Sequence, residues 1–187
     1  MGKIKMGAKT FLYPMPVTLV GANVNGKPNF LTIAWCGIIQ RDPAVIALSL
    51  GRSHYSTKGI FENKTFSVNI PSEDMVNAVD YCGLVSGQNV DKSHVFEVFY
   101  GTLKTAPMVK ECPVNMECEL MQTIDLSSSL TLFLGKIVET YSEEKYLTAD
   151  FPDMEKIKPM VYSPYDKHYW KIGEQLAPAY QTGKNYK

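Results

Sequence analysis

The sequence has no surplus of charge of either sign: 19 Lys+Arg stand against 19 Asp+Glu, and no Lys/Arg-rich run hides inside the neutral total. Polyanions are held chiefly by clustered cations, so nucleic acid and anionic membrane surfaces are not expected partners. Long apolar runs are missing as well. No run of about 18 apolar residues occurs, and the opening stretch MGKIKMGAKTFLYPMP carries lysines without an apolar core of signal-peptide length. The expectation is an unexported, cytoplasmic chain. Histidine is scarce, with His54, His94 and His168 far apart and without an i, i+4 partner, so no metal is expected. The four cysteines, Cys36, Cys82, Cys112 and Cys118, form neither a C-x-x-C pair nor a dense disulfide framework, which fits a reducing compartment. Nor does a Ser/His/Asp or Cys/His constellation stand out; Cys82 falls at the end of an expected helix, where a thiolate gains nothing.

What remains is an ordinary core-former. With 45% hydrophobic and 20% charged residues the chain is neither disordered nor a coiled coil. Its 187 residues read as one domain over 1–187, since splitting begins at roughly 250–300 residues. Several segments alternate apolar and polar residues at period two, as half-buried strands do. The cleanest is Thr65 to Ile70; the longest runs from Cys112 to Ile124. Leu130 to Ile137 is apolar on both faces near its start and reads as a central strand. Pro16 to Asn23, Asn29 to Gly37 and Ala44 to Leu50 complete the set, with a turn at Asn25-Gly26. Helices are expected at Ser56 to Asn63, from an N-cap at Ser72 to about Cys82 with Gly83 as its stop, and near Gly173. Glu143 to Lys158, interrupted by Pro152, reads as surface connection with at most one helical turn. Antiparallel strands with few helices point to a small closed barrel, which disposes of its sheet edges.

Three clusters carry the chemistry. The first, Gly51-Arg52-Ser53-His54-Tyr55-Ser56-Thr57-Lys58, follows a strand directly and gathers a guanidinium, hydroxyls and a helix start, which suits a phosphate. A plain capped helix with a solvated basic residue is the commoner reason for such a run. The second, Asn29 to Gly37, sets Asn29, Thr32 and Trp35 along an apolar strand, where amide, hydroxyl and indole can rim a flat heteroaromatic ligand. Trp35 has a competing place in the core. The third is the polar loop Ser86 to Lys92, whose lysine either meets an anion or is simply solvated.

In this order and at these separations the clusters resemble the flavin reductase-like family of FMN-binding split barrels, and most closely its flavoredoxin branch. The resemblance begins at Gly7-Ala8-Lys9-Thr10 and Tyr13-Pro14-Met15-Pro16-Val17. It continues through Thr32-Ile33-Ala34-Trp35, Asp42-Pro43, Phe66-Ser67-Val68-Asn69-Ile70-Pro71, Asp80-Tyr81-Cys82-Gly83 and Asp91-Lys92, and ends with Leu132-Phe133-Leu134-Gly135 and Tyr169-Trp170. It implies a mainly β, antiparallel, Greek-key split barrel that binds FMN. Asn29, Thr32, Ile33, Ala34 and Trp35 would line the ring and ribityl chain, and Ser49, Leu50 and Gly51 would border the flavin. Arg52, Tyr55, Ser56 and Thr57 would surround the phosphate, with Lys92 and Tyr162 also at the cofactor. It further implies a homodimer with flavin near the subunit interface. Where relatives often carry a histidine near the flavin, this chain has Leu130, which can donate no hydrogen bond. The resemblance thus implies a redox flavoprotein with no side-chain catalyst, exchanging electrons with a partner protein. Its alternatives are an NAD(P)H-dependent flavin reductase and a non-redox ligand-binding barrel.

Overall fold

The computed structural model describes residues 2–186. Strands β1 (Met15–Pro16), β2 (Thr18–Val24), β3 (Lys27–Ile33), β4 (Cys36–Gln40) and β5 (Val45–Gly51) precede helix α1 (Tyr55–Asn63) and strand β6 (Thr65–Ile70). A 3-10 turn at Glu73–Met75 leads into α2 (Val76–Leu84), followed by β7 (Val98–Phe99), β8 (Met108–Val109), β9 (Val114–Asp125) and β10 (Leu130–Ser142). The chain continues through β11 (Leu147–Thr148), β12 (Phe151–Pro152), α3 (Met154–Ile157), β13 (Met160–Ser163) and β14 (His168–Lys171). Among the described residues, no helix is long and apolar enough to cross a membrane.

The mainly β architecture expected from period-two alternation is what forms. Seven strands make one sheet in the order β3-β2-β6-β9-β10-β5-β4, with every neighbour antiparallel. Val20, Ile46, Leu48, Phe66 and Phe133 from four of these strands meet in one fully buried cluster, capped by Ile60 of α1. β10 is central, between β9 and β5, as its two apolar faces foretold. Closure does not follow. The edge strands β3 and β4 do not pair, because the stretch expected as one strand, Asn29 to Gly37, breaks in two. At Ala34 and Trp35 the chain bends, Cys36 N–H donates to the Ala34 carbonyl, and β4 crosses to pair with β5. The β3 side is covered instead by α2, under which Leu19, Phe30, Val79, Cys82 and Phe96 form a second core.

Other expectations are corrected by local chemistry. Ser72 does not cap a helix: its hydroxyl bonds the Asp74 carboxylate, a 3-10 turn follows, and α2 begins only at Val76. Gly83 lies inside α2, which ends at Leu84. No helix forms near Gly173; Thr182–Asn185 is a 3-10 turn. Between Glu143 and Lys158 stands more than one turn, including the β11–β12 hairpin and α3, whose start is capped by Asp153 accepting from Glu155 N–H at 2.9 Å. Pro152 precedes that helix and does not break it. The β13–β14 hairpin, which pairs with β1, was not foreseen.

One close approach fixes α1, the helix that begins at the first cluster. A Cβ on Gly59 would overlap the carbonyl oxygen of Asn23 in β2, so α1 lies against that strand only because the residue is glycine. A backbone carbonyl cannot rotate away as a side chain could. Gly59→Ala is therefore expected to destabilise the protein by roughly 1–3 kcal/mol, the usual scale for overpacking, despite alanine's higher helix propensity. The midpoint of urea unfolding measures this; an unchanged or raised midpoint would refute the contact.

Candidate functional site

The first and third clusters meet the start of the second. β3 carries Asn29, buried at 4% exposure, and α1 carries Ser56 at 1%; Asn29 Nδ2 donates to Ser56 Oγ at 2.7 Å. The loop after α2 closes over this pair through Gly87, where a Cβ would collide with Asn29 Oδ1 and the Tyr55 ring. That loop is fastened from outside by Lys27 Nζ and Asp91 Oδ2, 3.3 Å apart, and within by Asn89 and Val90 N–H donating to the Ser86 carbonyl. It returns Lys92 to the interior at 2% exposure, where Nζ donates to the carbonyls of Cys82 at 3.2 Å and Val85 at 3.0 Å.

Asn29, His54, Tyr55, Ser56, Gly87 and Lys92 thus border a cavity of about 250 Å³. No carboxylate lines it, so Lys92 has two neutral dipoles and no counter-ion. Burial holds its pKa below the usual lysine value. Withdrawing a cation from water without an opposite charge is costly, and an anion entering the cavity would supply the missing charge. His54, whose ring borders the same cavity, has an unpartnered atom: its Nδ1 is sealed from solvent and has no hydrogen-bond partner among the described residues. An unmet buried polar atom costs about 1–3 kcal/mol.

Beside Ala47 and Ser49 of β5 lies an apolar recess of about 640 Å³, also bordered by Phe11, Pro14, Ala34, Trp35 and Leu132, with few polar atoms. Its volume suits a flat aromatic group. Trp35 is half exposed, so it is a recess wall and not a core residue. Its backbone is fixed by Ser49 N–H donating to the Trp35 carbonyl at 2.9 Å. A larger concavity of about 940 Å³, beside Phe151, Glu155 and Glu174, shares no residue with either site.

The remaining expected residues fall into place unevenly. Ile33 and Leu50 turn their side chains into the core, leaving only backbone to offer a ligand. Thr32 Oγ1 is engaged with the Val79 carbonyl, and Thr57 Oγ1 donates to the Gly51 carbonyl at 3.0 Å, so these hydroxyls tie segments together. Arg52 lines neither space: its guanidinium pairs with the Asp125 carboxylate, while Nε donates to Thr131 Oγ1 at 3.2 Å. That pair is exposed on both sides, and the guanidinium beside Asp125 holds its carboxyl below the usual range. Leu130 pairs with Gly51 across the ladder. Tyr162 packs into the second core, its ring 5.7 Å from that of Tyr169.

Sequence reasoning missed His54 and Gly87 as site residues. His54 stood inside the first cluster, yet a lone histidine among hydroxyls gives no signal; Gly87's signal was its place in a loop that must pass Asn29. The cysteines take no part as nucleophiles, because burial pushes the Cys36 thiol up to about 12 and the Cys82 thiol up to about 11.

Comparison with known proteins adds the lineage. Residues 10–171 match the family described as flavin reductase like domain. The structure is similar to flavoredoxin from Methanosarcina acetivorans, at 47% identity and TM-score 0.95 over 98% of both chains. Flavoredoxin of Desulfovibrio vulgaris (Miyazaki F) is similar at 36% identity and TM-score 0.91, over 98% of this chain and 100% of that one. An FMN-binding protein from Thermus thermophilus shares the fold at 21% identity and TM-score 0.79, over 95% of this chain and 98% of that one. By match over most of its length and by these likenesses, the chain belongs to the flavin reductase like domain family.

Proposed function

We propose that this protein is an FMN-binding redox flavoprotein of the flavoredoxin type. The observation that carries the reading is the buried, carboxylate-free cation Lys92 beside the Asn29–Ser56 pair, in a structure that also holds an apolar recess bordered by Trp35 and Ser49. FMN joins the two chemistries those spaces ask for, a flat apolar ring system and a phosphate. The fit is supported by the His54 ring at the cavity, whose Nδ1 has no partner among the described residues, and by the cradle that Gly87 leaves around Asn29.

In this reading Lys92, Tyr55, Ser56 and the start of α1 receive the phosphate, with Arg52 recruited from Asp125, while Thr57 holds the turn. Trp35, Ala34 and Ser49 border the ring, Thr32 and the backbone of Ile33, Leu50 and Gly51 follow the ribityl chain, and Leu130 and Tyr162 flank the cofactor. The chemistry that FMN supplies is reversible uptake of hydride or electrons; the protein orients it and limits access. We further read residues 1–187 as one domain, working as a homodimer in the cytoplasm. Free cysteines support the reducing setting, and exposed Phe11, Leu12, Trp35 and Ile39 at the recess favour cover by a second copy.

Leu130 favours an electron carrier, reduced by another protein, over direct reaction with a nicotinamide. Titration of the purified chain with FMN is expected to give a bound, yellow form; failure to take up FMN would sink the flavoprotein reading. Followed anaerobically in the visible spectrum, that form is expected to keep its colour with NADH or NADPH, whereas bleaching by either would make it a reductase. Arg52→Ala combined with Ser56→Ala removes two hydrogen bonds to an anion at about 1.5–3 kcal/mol each. FMN affinity is expected to fall by roughly a hundredfold or more, and riboflavin affinity by far less. Equal losses, measured by fluorescence titration, would contradict the assignment of these residues to the phosphate.

A further inference from the structure

Among the described residues lining the cavity, His54 alone carries a buried side-chain nitrogen or oxygen outside the hydrogen bonding of the protein. Gly51 accepts the ring closely: a Cβ there would lie 3.4 Å from its Cε1 and Nε2. Nδ1 is the single buried side-chain nitrogen or oxygen without a partner among the described residues. The other titratable groups lining the same space are Lys92 and Tyr55. Nearby charges are otherwise committed elsewhere, Arg52 to Asp125 and Asp91 to Lys27. His54 therefore faces a cation and no anion. Burial, and then the Lys92 charge, hold its pKa below the usual histidine value, so the ring is neutral near pH 7 in the free protein.

A phosphomonoester dianion in this space would reverse the field at His54. We propose that His54 is a proton-coupled ligand of the cofactor phosphate, taking up one proton from solvent as the dianion enters and then donating a hydrogen bond to it. This rests on the flavin reading above and adds to it a residue and a pH dependence. The sign is fixed by linkage. The free ring titrates below the ordinary value and the ring beside a dianion above it; between these limits binding consumes a proton, so affinity falls as pH rises. Above both limits, and below both, His54 contributes no slope. The phosphate itself loses its last proton near pH 6, so from about pH 7 upward the ligand is a dianion throughout.

The test compares the full chain with His54→Gln by calorimetric titration with FMN at about pH 7.5, in buffers of different ionisation heat. The native protein is expected to take up more protons than the variant, up to about one, and to lose affinity by up to tenfold per pH unit more steeply. Lys92, whose charge burial also weakens, contributes to both proteins and cancels in the difference. Riboflavin, lacking the phosphate, is expected to show no such difference. Nitrogen-15 spectra of the native protein report the same event directly, as a His54 ring neutral when free and doubly protonated with FMN bound. Equal proton uptake in the two proteins, or a neutral His54 ring in the FMN complex, would overturn the proposal and leave the flavin reading intact. Native protein that binds no FMN would overturn both.

Discussion

A single buried ammonium organises this molecule. Lys92 Nζ sits in the interior with two main-chain carbonyls and no carboxylate beside it, and the surrounding architecture keeps it there. α2 supplies one carbonyl from its last turns, and the loop beyond supplies the other. Gly87 lets that loop press against Asn29, and Asn29 in turn locks β3 to α1 through Ser56. Each of these contacts closes water away from the cation and raises the electrostatic value of any anion that reaches it. The rolled sheet provides the rigidity this requires. Strands and helices fixed by two packed clusters position the polar groups, while the connecting loops carry them.

The two charged arrangements at the site differ in kind. Lys92 is enclosed and held by two main-chain carbonyls. Arg52 is exposed, paired with the solvated carboxylate at the end of β9, and such pairs are worth little. One charge is built in and the other is held in reserve at low cost to the fold. This division shows how a chain with zero net charge can hold two cationic groups near one place without a basic surface.

Much of this was legible in the sequence. Period-two alternation located Thr65–Ile70 to the residue and identified β10 as central, because burial on one or both faces is written directly into residue order. The failures share a cause. Ser72 had the composition of an N-cap, but its hydroxyl donates to the Asp74 carboxylate and accepts no backbone N–H of the next turn, and composition does not reveal which bond forms. The Asn29–Gly37 stretch looked like one strand because a bend at Ala34–Trp35 is imposed by pairing with β5, a partner remote in sequence. At the site, Asn29, Ser56 and Lys92 could be named from ordered motifs. That Ile33 and Leu50 face the core, and that His54 lacks a partner, depends on packing that no spacing encodes.

β5 also sets a length. Ser49 borders the apolar recess and Gly51 the ring of His54 at the anion cavity, and the two lie on the same face of one strand. Alternate residues of a strand are about 7 Å apart. The strand is thus a ruler as well as a wall: it measures how far an aromatic system must be tethered from its anionic group to satisfy both ends. A ligand whose phosphate is bonded directly to its ring falls short, and one with a flexible linker of a few carbons spans the gap.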